Sequence, residues 1–162
     1  MTLTRIIPSL RRTLPDPLAV DSWPEGTVAT TVDVVISGIS LLHLVEVCGT
    51  PSVHGGASVI PRSGGRPSSE LRTTVLVARV VGVRLDASGH PVIETDARLD
   101  DARLVWSQAR LLGRASTAHS GIVLVDVYAA DLPLDVRVGD LIAIPSRPER
   151  MAQAPTWLSV LE

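Results

Sequence analysis

The side chains most able to do chemistry lie close together in the segment HLVEVCGTPSVHGG. Its four functional residues are His43, Glu46, Cys48 and His54. The first two are three residues apart, so on a helix they would share one face. A thiol and imidazoles in one segment allow two chemistries. Cys48 could act as a nucleophile with a histidine as its base, or the segment could bind a transition metal.

Both chemistries have a sequence argument against them. If 41–48 is helical, Cys48 lies in the last turn, where the negative end of the helix dipole disfavours a thiolate. The spacing of His43, Cys48 and His54, H-x4-C-x5-H, matches no recurrent zinc pattern. The favoured alternative is structural, with Cys48 as a small buried hydrophobic residue and 49–56 as a glycine-containing loop. No cofactor is predicted.

A second candidate is the segment RSGGRPSSE, residues 62–70. Arg62 and Arg66 flank two glycines and could hold a phosphate or carboxylate. Neither the phosphate-loop pattern GxxxxGK[ST] nor the dinucleotide pattern GxGxxG occurs, and a strand is expected to follow. A solvated loop is therefore the favoured interpretation of this segment.

The C-terminal segment TWLSVLE is apolar, with Trp157, Leu158 and Leu161 as candidate contact residues. Exposed apolar side chains would cost solubility, so we expect this tail to dock. It could cover an edge of its own sheet or reach a second copy, because a ten-residue linker spans up to roughly 30 Å. A homo-oligomer through the tail is thus one expectation, and self-docking is slightly favoured over it.

The elements that must position these residues have clear local signals. The alternation over 27–36 predicts a half-buried strand. Ser40 as N-cap and Gly49 after the last turn predict a helix over 41–48, with a second hairpin strand as the alternative. Residues 72–85 are apolar on both faces, which is typical of a central strand.

The second half of the chain has similar signals. The turn DASGH and the alternation that follows it predict a hairpin of 72–85 with 91–99. Apolar residues at helical spacing between Asp100 and Gly113 predict a helix over 101–112, with a strand as the alternative. Further strands are predicted at 121–129 and 140–144.

Together these elements predict an α+β fold. Its core would be a curled, mostly antiparallel sheet or partial barrel of five to seven strands with two short helices, and an all-β barrel is the alternative. We expect a basic N-terminal arm (1–19), a single β-rich domain (20–146), and a linker with the apolar tail (147–162).

Composition narrows the function classes. The net charge is −2, and all 15 basic residues are Arg, a bias that we ascribe to the codon usage of a GC-rich, bacterial-type genome. A net charge of this size does not attract nucleic acid or anionic lipid, and aromatic residues for base stacking are scarce, so nucleic acid is not expected as a partner. No apolar run approaches about 20 residues, so no membrane span is expected. A lone cysteine closes no internal disulfide, and we therefore expect a cytoplasmic location.

No complete catalytic constellation is present. We therefore expect a non-enzymatic binding or assembly domain. The alternative is a small enzyme or metal-binding protein that uses His43, Cys48 and His54.

Overall fold

Strands dominate the part of the chain that a computed structural model describes, residues 2–99 and 103–151. Within these residues the α-helices are α1 (Leu3–Ile6) and α2 (Leu41–Cys48). Short 3₁₀ turns cover Pro8–Arg12, Val20–Ser22 and Trp106–Gln108. The strands, in chain order, are β1 (Thr27–Ala29), β2 (Val34–Ile36), β3 (Ile39–Ser40), β4 (Ser52–Val59), β5 (Pro67–Leu85), β6 (Pro91–Thr95), β7 (Arg110–Leu112), β8 (Ser120–Val125), β9 (Tyr128–Pro133), β10 (Leu141–Pro145) and β11 (Glu149–Arg150).

The long strand β5 organises the main sheet. It pairs antiparallel with β4, β6, β10 and β11, and the sheet continues from β10 to β7 and from β6 through β8 to β9. Only the β6–β8 pairing among these is parallel. The sheet curls until β9 contacts β7, which nearly closes a six-stranded barrel. The predicted α+β fold with a curled, mostly antiparallel sheet is confirmed. We call the junction of β7 and β9 the seam.

Side-chain alternation along β5 separates two hydrophobic layers. Leu76, Ala78 and Val80 point into the curled sheet, whereas Val75 and Val77 pack on its outer face. The outer layer is covered by the small antiparallel sheet β1–β2–β3 and by α2. Full burial of such aliphatic side chains contributes roughly 1.5–3 kcal/mol each, so both layers stabilise the position of every strand that borders the seam.

Helix α2 begins where its sequence signal predicts. Ser40 Oγ accepts a hydrogen bond from the backbone N–H of His43 at 3.1 Å, and Gly49 follows the last turn with a φ of 76°. The neighbouring hairpin adds a second cap. Asp33 Oδ1 accepts from the backbone N–H groups of Val34 and Leu42 at 2.7 and 3.1 Å. The helix predicted over 41–48 is confirmed, and the alternative, 41–48 as the second strand of a hairpin, is wrong, because the hairpin strand β3 ends at Ser40.

The hairpin predicted around DASGH is also confirmed. Strand β5 pairs with β6 from Leu85 opposite Pro91 to Val80 opposite Thr95. Asp86 Oδ1 closes the turn by accepting from the backbone N–H groups of Ser88 and His90, each at 2.8 Å.

Two predicted single strands are hairpins instead. Within 27–36, the backbone N–H of Thr30 donates to the carbonyl of Asp33 at 2.9 Å, so the chain turns and β1 pairs with β2. Within 121–129, Asp126 has a φ of 53° and divides β8 from β9. Alternating β-branched residues concealed the first turn, because they continue the strand pattern through it.

The helix predicted over 101–112 is wrong where the chain is described. Residues Trp106–Gln108 form a 3₁₀ turn, and β7 then pairs antiparallel with β10, from Arg110 opposite Ala143 to Leu112 opposite Leu141. Helical spacing of apolar residues was overridden by strand pairing with the buried β10. The second short helix lies instead at the N-terminus, as α1.

The N-terminal segment, which we define as residues 2–18, packs on the barrel. Its Thr4, Pro8 and Arg11 are buried. At the other end, Glu149–Arg150 pairs with β5, and the tail residues Trp157, Leu158 and Leu161 lie outside the described residues. None of the helices in residues 2–99 and 103–151 is long and apolar enough to cross a membrane.

Candidate functional site

Helix α2 presents its functional side chains to solvent. His43 Nδ1 lies 3.4 Å from Glu46 Oε2, so the two residues share a face, and their side chains are 71% and 77% exposed. Cys48 is exposed as well, contrary to its interpretation as a buried hydrophobic residue. These side chains therefore stand on an open surface, outside any enclosed site.

His54 lies on β4 rather than in a loop. The loop predicted over 49–56 is wrong from Ser52 onward, because this stretch pairs with β5 and sets His54 opposite Val75. Gly55 is needed for that pairing, since a Cβ there would come within 2.9 Å of Thr74 Cγ2. Across the described ranges, no group of three or more His, Cys, Asp or Glu side chains could hold a metal ion.

Arg62 and Arg66 lie in a tight, exposed turn before β5. The backbone N–H of Ile60 donates to the carbonyl of Arg66 at 2.8 Å, which closes the turn. The backbone N–H of Arg62 donates to Asp21 at 3.2 Å. The arginine side chains project from a surface turn and line no part of the cleft described next.

The structure places a different group of charged residues around one cleft. The cleft has a volume of about 290 Å³ and lies beside the seam, between the N-terminal segment and the chain from 107 to 120. Four arginines and two aspartates line it: Arg5, Arg11, Arg110, Arg114, Asp16 and Asp131. The charges of these six side chains sum to +2, since four cations face two anions. We call this cavity the arginine cleft.

Two of its arginines fasten the N-terminal segment to the barrel. Arg5 forms an ion pair with Asp131 of β9. Arg11, only 5% exposed, donates to the carbonyl of Ala118 at 2.6 Å and to Ser120 Oγ at 2.7 Å. Its Nε lies 3.0 Å from Asp16 Oδ2. Both guanidinium groups therefore already have partners within the chain.

Arg114 also has its partners. It donates from Nε and Nη2 to the two oxygens of Asp140, at 2.9 and 2.7 Å, and from Nη1 to Asp135 Oδ2 at 3.0 Å. The hydrogen bond to Asp140 is the main reason that the pKa of Arg114 is raised. Burial acts to raise the pKa of Asp135, but hydrogen bonds from Ser116 and Arg114 outweigh it and the pKa is lowered. This cluster is a structural ion-pair network.

Arg110 differs from the other three arginines. It is half-buried at the start of β7 and lines the cleft, and its side chain makes no hydrogen bond or ion pair with any residue in 2–99 or 103–151. Burial is the largest influence on its pKa and lowers it, while the charge of Asp16 acts to raise it and that of Arg11 to lower it. The cleft thus holds a guanidinium that has lost part of its hydration without gaining a carboxylate partner among the described residues.

The remaining lining combines hydrogen-bonding and apolar side chains. Its neutral polar residues are Thr2, Thr31, Ser107, Gln108, Ser116 and Ser120, and six further residues are apolar. None of the described lining residues is a histidine or cysteine, and each aspartate forms an ion pair with an arginine. What the arrangement offers is a positively charged, hydrogen-bonding cavity for a small anion.

The cleft was not predicted from the sequence. Arg11 was placed in a basic arm, and Arg110 was placed on a helix that does not form. One signal was available for Arg110, because it interrupts the apolar pattern VWSQARLL, where a charged residue needs a partner. The sequence could not indicate the cleft itself, since Arg11 and Ser120 are 109 residues apart.

No protein-family model matches the chain, and a comparison with the curated proteins gives no significant match. The function is therefore argued from the geometry of the arginine cleft alone.

Proposed function

We propose that this chain is a non-catalytic binding domain that takes a small anion in the arginine cleft, with Arg110 as the principal contact. One observation carries the proposal. The half-buried guanidinium group of Arg110 has no hydrogen bond or ion pair to any residue of the described ranges, while the side chains of Arg5, Arg11 and Arg114 beside it are all paired.

The energetic argument rests on desolvation. A charged group that leaves water without a partner costs free energy, and this cost is recovered only when an opposite charge and hydrogen bonds are supplied. A planar guanidinium can donate two parallel hydrogen bonds to a carboxylate or phosphate. A bound anion would supply the partner that the described residues do not provide for the Arg110 side chain.

The surroundings of Arg110 support the same function. The excess of positive charge in the lining attracts an anion, and the serine, threonine and glutamine side chains can donate further hydrogen bonds to it. The absence of His and Cys from the described lining favours binding over catalysis.

The test is thermal unfolding with acetate or inorganic phosphate added at constant ionic strength. A ligand at about ten times its Kd stabilises the folded state by about 1.4 kcal/mol, which corresponds to a rise in Tm of roughly 3–6 °C for a domain of this size. We expect this rise in the wild type and its loss in Arg110→Gln.

Arg66→Gln is the matched control, because Arg66 is exposed and lies outside the arginine cleft. It should respond as the wild type does. An equal rise in Arg110→Gln, or no rise in the wild type with either anion, would contradict the proposal. A loss of the response in Arg66→Gln would move the anion site to the turn before β5.

A further inference from the structure

The arginine cleft contains an anion whose position complements that of Arg110. Asp16 lines the same cleft from the N-terminal segment, and its side chain is 36% exposed. Its Oδ2 faces Arg11 Nε at 3.0 Å, whereas Oδ1 has no hydrogen bond within the described ranges. Asp16 therefore offers a free carboxylate oxygen to whatever enters the cleft.

Arg110 and Asp16 are near each other without touching. No nitrogen of Arg110 lies within 4.0 Å of an oxygen of Asp16. The two charges nevertheless interact, since the charge of Asp16 raises the pKa of Arg110 against the larger, opposing effect of burial. A gap between a cation and an anion in one polar cavity can be bridged by a molecule that carries both charges.

We infer that the ligand of the arginine cleft is a free α-amino acid, with its carboxylate on Arg110 and its ammonium group on Asp16. This inference rests on the proposed function and specifies the molecule whose carboxylate would bind Arg110, which is a zwitterion. An α-amino acid carries a carboxylate and an ammonium group on the same carbon atom. Its carboxylate matches the donor fork of a guanidinium, and its ammonium group has three donors for carboxylate and hydroxyl acceptors.

A doubly charged anion fits the cleft less well. It would satisfy Arg110, but it would leave Asp16 Oδ1 without a donor and bring like charges together at Asp16 and Asp131. The volume of about 290 Å³ is at the lower end of the range for ligand pockets, so it favours a molecule of amino-acid size. The neutral polar lining favours a ligand with a small or polar side chain.

The experiment compares amino acids with acids that lack only the amino group. The pairs are L-alanine with propionate, L-serine with 3-hydroxypropionate, and L-glutamine with 4-carbamoylbutyrate. Isothermal titration calorimetry of the full chain gives Kd for each. We expect at least one amino acid to bind the wild type about tenfold more tightly than its partner acid, because a charged hydrogen bond to Asp16 is gained.

The variant Asp16→Asn should reduce that ratio to about one, while its affinity for the partner acid stays the same or rises. N-acetylation of the preferred amino acid should have the same effect on the wild type, and this comparison does not depend on how the variant folds. Arg110→Gln should bind neither member of a pair, and Arg66→Gln should behave as the wild type.

The outcomes separate the two claims. If partner acids bind at Arg110 as tightly as the amino acids, the inference fails and the anion site stands. If Asp16→Asn keeps the preference for the amino acid, the role of Asp16 is wrong. If no acid or amino acid binds, the inference fails, and the proposed function fails with it when neither acetate nor inorganic phosphate raises the Tm of the wild type.

Discussion

The α2–β4 region (41–59) and the arginine cleft both concentrate charged and polar side chains, but the two regions use them differently. Ser40 caps the α2–β4 region just before its start, and His43 and Cys48 within the region face solvent. In the arginine cleft, the Arg110 side chain is half-buried and has no hydrogen-bonding partner among the described residues. The proposed site therefore rests on burial without a partner and not on a high density of reactive residue types.

The largest expected effect on stability comes from Asp33, whose carboxylate accepts hydrogen bonds at the start of α2. Asp33→Ala removes the acceptor for Ser40, Val34 and Leu42 and leaves two backbone N–H groups without a partner. We expect the free energy of unfolding to fall by about 3 kcal/mol, measured by urea denaturation. The Tm increase caused by acetate should persist. If it disappears while the variant remains folded, the two regions are not independent.

Substitution of Arg114 and Arg110 in the arginine cleft should have different effects on the free energy of unfolding. Arg114→Leu breaks the pairs with Asp135 and Asp140, and should lower the free energy of unfolding by about 2 kcal/mol. Arg110→Leu breaks no side-chain pair within the described residues and should leave stability unchanged or raise it by up to about 1 kcal/mol, because it removes a half-buried cation. Denaturation without ligand measures both. A large loss for Arg110→Leu would mean that this side chain is structural.

The pH dependence of stability should depend on the ion-pair network around Arg114 and not on the proposed anion site at Arg110. The pKa of Asp135 is lowered below its ordinary value of 3.8, because hydrogen bonds from Ser116 and Arg114 exceed the opposing effect of burial. A depressed pKa contributes stability above the unfolded pKa, and this contribution is lost as the pH falls through the folded pKa. Asp135→Asn should therefore lose less stability than the wild type between about pH 5 and about pH 2. Equal acid sensitivity of the two proteins would contradict the assignment.

The exposed residues of α2 should show the smallest effects. His43→Ala and Cys48→Ala remove side chains that face solvent, so each should change the free energy of unfolding by less than about 0.5 kcal/mol. Neither should alter the response to acetate. A change in anion affinity in either variant would make α2 a candidate site again and contradict the proposal that anions bind only in the arginine cleft.

The sequence predicted those elements whose signals are local. The turn at Asp86 and the helix after Ser40 are specified by residues within a few positions of one another, and both are confirmed. The strand at 110–112 was missed because its structure depends on pairing with β10, about 30 residues further along the chain. Tertiary pairing of this kind leaves no periodic signal in the strand itself.

The arginine cleft depends even more strongly on distant contacts. Its walls come from the N-terminal segment and from β7, which meet only after the sheet has curled and brought the seam together. Composition revealed that every basic residue is an arginine, but it could not show that Arg11 and Arg114 find partners and that Arg110 does not. The fold class was therefore within reach of the sequence, whereas the candidate site was not.

The most direct test of the contrast between the two regions is an amide NMR titration of the wild type with acetate. We expect saturable chemical-shift changes concentrated at residues 107–111 and in the N-terminal segment, with 41–59 unaffected. Arg110→Gln should abolish these changes. Shifts centred on 41–59, or changes that do not saturate and persist in Arg110→Gln, would contradict the assignment of the arginine cleft as the binding site.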